Sequence, residues 1–155
     1  MVRRAEARDI PALMGLLDQV NLVHHLGRPD LFRRATKYSP AQLEALLGDP
    51  AMEIFVFEDE SGVVLGHAFC QLQKVPPTHR LLEPVRTLYI DDICVDAAAR
   101  RQGVGSALCQ HVKDRARELG CHNITLNVWA CNPGAEAFYR KSGFLPQKTG
   151  MEVIL

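Results

Sequence analysis

The stretch from Tyr89 to Leu119, YIDDICVDAAARRQGVGSALCQHVKDRAREL, constrains the fold more than any other part of the chain. It reads as an apolar strand carrying two carboxylates, a short polar connection, a glycine-rich turn and a helix that opens on the glycines. The first backbone N–H groups of such a helix have no intrahelical acceptors, and the helix dipole adds partial positive charge there. The turn is therefore suited to an anion, and a phosphate-bearing ligand is the leading expectation.

What is missing narrows the ligand. A P-loop needs lysine and a hydroxyl residue after its last glycine, whereas Gly105 is followed by Ser106 and Ala107. A dinucleotide fingerprint needs Gly or Ala three positions after Gly105, where Leu108 stands. The pattern present is Arg-x-x-Gly-x-Gly, made by Arg100, Gly103 and Gly105, directly after Ile93-Cys94-Val95. It resembles the pyrophosphate motif with which GCN5-related N-acetyltransferases (GNAT) hold acetyl-coenzyme A. A glycine pair alone equally describes an ordinary strand-to-helix turn. A second element carries the resemblance further: Asn132-Pro133-Gly134-Ala135-Glu136-Ala137-Phe138-Tyr139, then Gly143-Phe144, is similar to the family's Asn-x-x-Ala-x-x-x-Tyr-x-x-x-Gly-Phe region. The likeness is good from about residue 53 to 155 and loose over the first fifty.

The resemblance implies an α/β (α+β) chain with the GNAT fold: a mixed, mostly antiparallel central sheet flanked by helices, with splayed central strands. A length of 155 residues fits one N-acetyltransferase domain, 1–155, large enough to bury a core without staples. Hydrophobic residues at 47% and charged residues at 23% are ordinary for a globular protein. Lys+Arg and Asp+Glu both number 18, so no global field favours nucleic acid or an anionic membrane. The N-terminus lacks a signal-like apolar run and no segment reaches membrane-spanning length, so a cytoplasmic location is expected. Five cysteines without a CxxC pair read as reduced, buried thiols, and His24 and His25 lack partners at ligand spacing, so no metal is expected.

Along the chain, residues 2–6 suit a short strand, and Asp9 is placed to cap a helix with its buried face at Ile10, Leu13, Leu16, Leu17 and Val20. That helix should end near residues 22–26, before Gly27-Arg28-Pro29. Ser39-Pro40-Ala41-Gln42 is a capping box that starts a second helix, closed by Gly48. Glu53–Glu58 and Val63–Gln73 are strands joined by a turn at Asp59–Gly62. A polar loop bracketed by Pro76-Pro77 and Pro84 precedes the central strand, Leu88–Val95. After the Gly103 helix, which Gly120 ends, come a strand at Asn123–Trp129, a short helix at Ala135–Lys141 and a closing strand at Met151–Leu155. Strands followed by helices and strands again predict a mixed α/β sandwich with part of the sheet parallel.

Acetyl transfer to an amine needs a route for the amine's proton, a donor for the developing oxyanion and a proton for the departing thiolate. Asp91 and Asp92 are candidates for the first. Strand alternation sends them to opposite faces unless a bulge intervenes. The pair looks like the Glu-Asp pair of the spermidine/spermine acetyltransferase branch, where such carboxylates line the polyamine site; each could instead simply pair with a nearby arginine. The resemblance assigns the oxyanion to the Val95 N–H, a donor type worth about 3 kcal/mol of barrier, and the thiolate's proton to Tyr139. Tyr139 could also be a packed aromatic.

Cofactor contacts are expected from Ile93, Cys94, Val95, Arg100, Arg101, Gln102, Gly103, Val104, Gly105, Ser106, Asn132 and Tyr139. Cys94 could alternatively carry the acetyl group covalently, but an apolar strand thiol without a nearby histidine reads first as packing. The loop VHHLGRPDLFRRATKY supplies possible acceptor contacts in His24, His25, Arg28 and Phe32, together with Asp92; a plain surface loop with Phe32 tucked into the core is the alternative. The expected activity is direct transfer from acetyl-CoA to a small cationic amine. Other readings are a protein or peptide amine as acceptor, and a non-catalytic acyl-CoA sensor or interaction module. A homodimer is possible.

Overall fold

The computed structural model describes all 155 residues. Its elements are β1 (Val2–Arg4), α1 (Ile10–Gly27), α2 (Pro40–Leu47), β2 (Met52–Glu58), β3 (Val64–Lys74), β4 (Arg86–Val95), α3 (Val104–Glu118), β5 (Asn123–Leu126) and α4 (Pro133–Lys141). The strands form one sheet in the order β1-β2-β3-β4-β5, antiparallel except for β4 and β5. A parallel pair needs a crossover, and α3 supplies it.

Helices cover both faces. Leu13, Leu17 and Leu43 of α1 and α2 pack on Met52, Ile54, Val56 and Phe69, while Val104, Leu108, Val112 and Ala116 of α3 pack on Phe55, Ala68, Cys70, Leu88 and Ile90. Burial on both sides explains why β2 reads as an almost continuous apolar run. Gly66 is required where β3, β4 and α3 converge: a Cβ there would stand 2.8 Å from the Cys94 carbonyl oxygen and 3.0 Å from Val104.

The class, the mixed sheet and its splayed strands agree with expectation, with three local differences. Asp9 does not cap α1: its carboxylate accepts two bonds from Arg3, at 2.8 and 2.9 Å, and one from the Glu6 N–H. An arginine fork satisfies both oxygens at once, which outcompetes the helix amides. The strand after α3 stops at Leu126 rather than Trp129. Residues 151–155 form no strand, and their side chains, Met151, Val153, Ile154 and Leu155 among them, are exposed. The Ser39 capping box is present in both directions, Gln42 N–H to Ser39 Oγ and Ser39 N–H to Gln42 Oε1.

Candidate active site

The site grows out of a bulge in β4. Phe69 of β3 faces Asp92 and Cys70 faces Ile90, leaving Asp91 as an extra residue. Before the bulge Leu88 and Ile90 face α3; after it, the thiol of Cys94 reaches the Leu16 carbonyl of α1 at 3.5 Å. Both aspartates consequently turn to the α1/α2 side: the bulge is the exception to strand alternation, and it sets both carboxylates on one face. Asp91 accepts from the Tyr38 hydroxyl at 2.6 Å and from Lys37 Nζ at 2.8 Å, using both carboxylate oxygens. Its partners are a lysine and a tyrosine rather than an arginine. Burial, with Asp91 alongside, pushes the Tyr38 phenol well above its ordinary range.

Asp92 is held differently. One oxygen, Oδ2, lies 2.5 Å from Nε2 of His67, a fully buried residue of β3. The other accepts no protein hydrogen bond and keeps contact with solvent, its side chain retaining 10% exposure. His67 was not singled out from the sequence, where it sits inside the apolar run VVLGHAFC. A histidine in such a run is the one signal that could have marked it.

A gap opens beside this carboxylate. Pairing of β4 with β5 runs from Thr87↔Asn123 to Ile90↔Leu126 and then ceases. On the β3 side, the Asp96 N–H donates to the Leu65 carbonyl at 2.8 Å, which fixes the antiparallel alternation. Residues 92 and 94 belong to hydrogen-bonded pairs, and Ile93 and Val95 do not. The main-chain N–H and C=O groups of Ile93 and Val95 thus point into the gap. Cys94 alternates away from it. Burial, aided by Asp92, pushes its thiol up to about 12, so it is no ready nucleophile.

The gap leads to the glycine turn. Asp96 orders its near end, accepting from the Ala98 N–H at 2.8 Å and from Gln19 at 2.9 Å. Arg101 has φ 63° and Gly103 φ 82°, two left-handed residues that swing the chain into α3. The first helical bond runs from the Ala107 N–H to the Gly103 carbonyl at 2.9 Å. The amides of Val104, Gly105 and Ser106 precede it and are free for an anion. Arg100 and Arg101 are exposed and make no ion pair, Gln102 bonds the Ala98 carbonyl at 3.1 Å, and the Val104 side chain is buried in the core.

Gly105 ties this turn to α4, since a Cβ there would stand 3.2 Å from the Phe138 ring and 3.5 Å from Val95. Asn132 caps α4 through the Ala135 N–H at 3.2 Å. Tyr139 follows Phe138, with ring centroids 5.3 Å apart, and leans on Phe144 at 5.7 Å. Burial pushes its phenol well above the ordinary tyrosine range, and the nearby Cys109 and Asp92 push the same way. The hydroxyl therefore keeps its proton at neutral pH.

On the α1 side, His24, Phe32 and Trp129 form an aromatic cluster: His24 and Phe32 at 5.0 Å, Phe32 and Trp129 edge-on at 4.9 Å. Burial lowers the His24 pKa, Lys37 adds to the effect and Asp92 opposes it, which puts this ring within the field of the carboxylate. His25 fixes the loop through the Phe32 carbonyl at 2.7 Å. Arg28 points elsewhere, bound to Asp30 at 2.7 Å and to Glu152. Trp129, read from the sequence only as the end of a strand, is the chain's single tryptophan and lies just past β5. Gly27 at the end of α1 meets the same segment, for a Cβ there would be 2.7 Å from the Cys131 sulfur.

A sheet split between two parallel strands, with free amides at one end and a carboxylate and a phenol at the other, suits an extended anionic ligand whose far end meets acid–base groups. The chain belongs to the acetyltransferase (GNAT) family, whose model matches residues 20–144. It is 30% identical over 151 residues to glucosamine 6-phosphate N-acetyltransferase 1 of Oryza sativa subsp. japonica, covering 97% of this chain and 84% of that protein. Its fold superposes on the BH1408 protein of Bacillus halodurans with TM-score 0.96 at 28% identity, covering 100% of this chain and 99% of that one. The fold is also shared, at TM-score 0.74 and 15% identity over 100% of this chain and 98% of the other, with the aminoglycoside N-acetyltransferase AAC(6')-Iy, solved in complex with CoA. The chain is accordingly an acetyltransferase that uses acetyl-CoA.

Proposed function

We propose that this protein is a single-domain enzyme that acetylates a cationic small-molecule amine by direct attack on the acetyl-CoA thioester. The observation that carries this reading is the half-free carboxylate of Asp92 beside the gap, with an aromatic group and Tyr139 around it. Bound acetyl-CoA supplies an activated acetyl thioester; the chain's own residues do the rest. Amides of Val104, Gly105 and Ser106 hold the diphosphate, with Arg100 or Arg101 adding charge-assisted bonds. Ile93 and Val95 present main-chain groups to the pantetheine arm, and Asn132 shapes the turn behind it.

At the reacting end Asp92 takes a proton from the incoming ammonium, because only the neutral amine is nucleophilic. The Val95 N–H donates to the oxygen on which charge develops. Tyr139 gives its proton to the departing sulfur. Cys94, protonated and turned toward α1, supports direct transfer over a covalent relay.

For the acceptor, Asp92 and the faces of Phe32 and Trp129 favour a positively charged amine such as a polyamine. Arg28 already carries two carboxylates, which argues against a third from an amino-acid substrate. The rice relative's name favours a second reading, a phosphorylated amino sugar, whose phosphate would need Arg33, Arg34 or Lys37. A homodimer and a cytoplasmic location belong to the same proposal; five free cysteines support a reducing compartment.

Thiol release from acetyl-CoA, measured over polyamines, aminoglycosides, glucosamine 6-phosphate and a lysine peptide, tests the reading. Polyamines should give the highest kcat/KM. Preference for glucosamine 6-phosphate would move the assignment to amino sugars, and CoA binding without turnover on any amine would leave a sensor.

A further inference from the structure

His67 is a fully buried polar residue beside Asp92 whose chemistry the reaction above does not use. It lies in the middle of β3, fully buried, between Val56 of β2 and Cys94 of β4, with its ring edge-on to Phe69 at a centroid distance of 4.9 Å. Full burial and the Phe69 ring pack the imidazole on the α1/α2 side of the sheet. Its Nε2 meets Asp92 Oδ2 at 2.5 Å, and its Nδ1 is buried without any partner.

Against a carboxylate, which only accepts, the Nε2 contact makes the imidazole the donor. It is a fixed donor. Its single bond removes one carboxylate oxygen from use and holds the other at the gap, where Asp92 needs it to meet the amine.

We propose that His67 is a positioning residue for the acetyl transfer, a buried donor that locks the Asp92 carboxylate in the orientation required for deprotonating the acceptor. The inference rests on Asp92 being the base. Other groups around that carboxylate do not substitute for the bond: Tyr38 and Lys37 are committed to Asp91, His24 stands in the aromatic cluster, Tyr139 and Cys94 feel the Asp92 charge without hydrogen-bonding it, and Asp91 is fully engaged.

The test compares His67→Gln, His67→Phe and Asp92→Asn in the full chain, with steady-state kinetics on the best amine of the panel, CoA affinity by calorimetry and thermal melting. Gln keeps an N–H donor at similar reach, whereas Phe keeps the ring and loses the donor. The expected result is a kcat lowered roughly ten- to hundredfold in His67→Phe with CoA affinity unchanged, and a kcat within about threefold of the parent in His67→Gln. If Asp92→Asn loses activity but a folded His67→Phe keeps parental kcat, the positioning role is overturned while the base assignment stands. If Asp92→Asn itself keeps parental kcat, the base assignment fails. Should His67→Phe not fold, His67→Gln decides between the two roles: together with His67→Asn, a shorter amide that cannot reach Oδ2, equal losses in both point to packing alone, and recovery only in Gln supports the donor.

Discussion

In the proposed reaction Tyr139 of α4 and Asp92 of β4 act from different elements, one as acid and one as base. The buried phenol is held protonated across the working range, an acid without competition from its own ionisation. Tyr139→Phe should lower kcat by about a hundredfold and change CoA affinity less than twofold, as read from single-turnover rates and titration calorimetry. Equal losses in both would make it a packing residue. Residues placed by a local motif were legible in the sequence: Asn132 and Tyr139 by their spacing, Gly103 and Gly105 by the turn they must form. His67 and Trp129 were not, because what makes each one part of the site is a neighbour brought by folding, Asp92 for one and Phe32 for the other. Cys94 lay in between, its apolar strand correctly suggesting a packed thiol.

At the scale of elements, β4 carries most of the design. A strand that alternated regularly would send Asp91 and Asp92 apart; the extra residue sets both on one face, one as an anchor for the loop at Lys37 and Tyr38, the other turned to the gap. A bulge leaves no local signature in YIDDICV, since it is defined by register against β3. The glycine turn is the opposite case, for its conformation is written in its residues. At φ 82° with open space around the missing Cβ, Gly103 can accept alanine only with left-handed strain. Gly103→Ala should lose about 1–2 kcal/mol of stability by denaturant melts. It should also raise KM for acetyl-CoA several-fold while leaving kcat at saturation near the parent. A rise in KM for the amine alone would argue against the turn as the diphosphate site.

For the whole molecule, the sheet ends on β5, which pairs with β4 on one side and with nothing on the other. The expected closing strand is instead an exposed apolar tail, MEVIL, tied down only through Glu152 and Arg28. Hydrophobic periodicity marked the tail as strand-like but could not say whose sheet it joins. An open edge and an unpaired strand-like tail are complementary in a pair of identical chains. Sedimentation should show a dimer for the full chain and a shift to monomer when residues 151–155 are removed; a monomeric full chain would sink the exchange.

The separation of the glycine turn from Asp92 has a consequence for which donors succeed. In the proposed reaction the nucleotide end is gripped beyond the carboxyl end of β4, while bond making occurs further back along that strand. Grip on the remote handle thus becomes alignment of the sulfur, and shortened thioesters lacking the adenosine would suffer in turnover and not merely in occupancy.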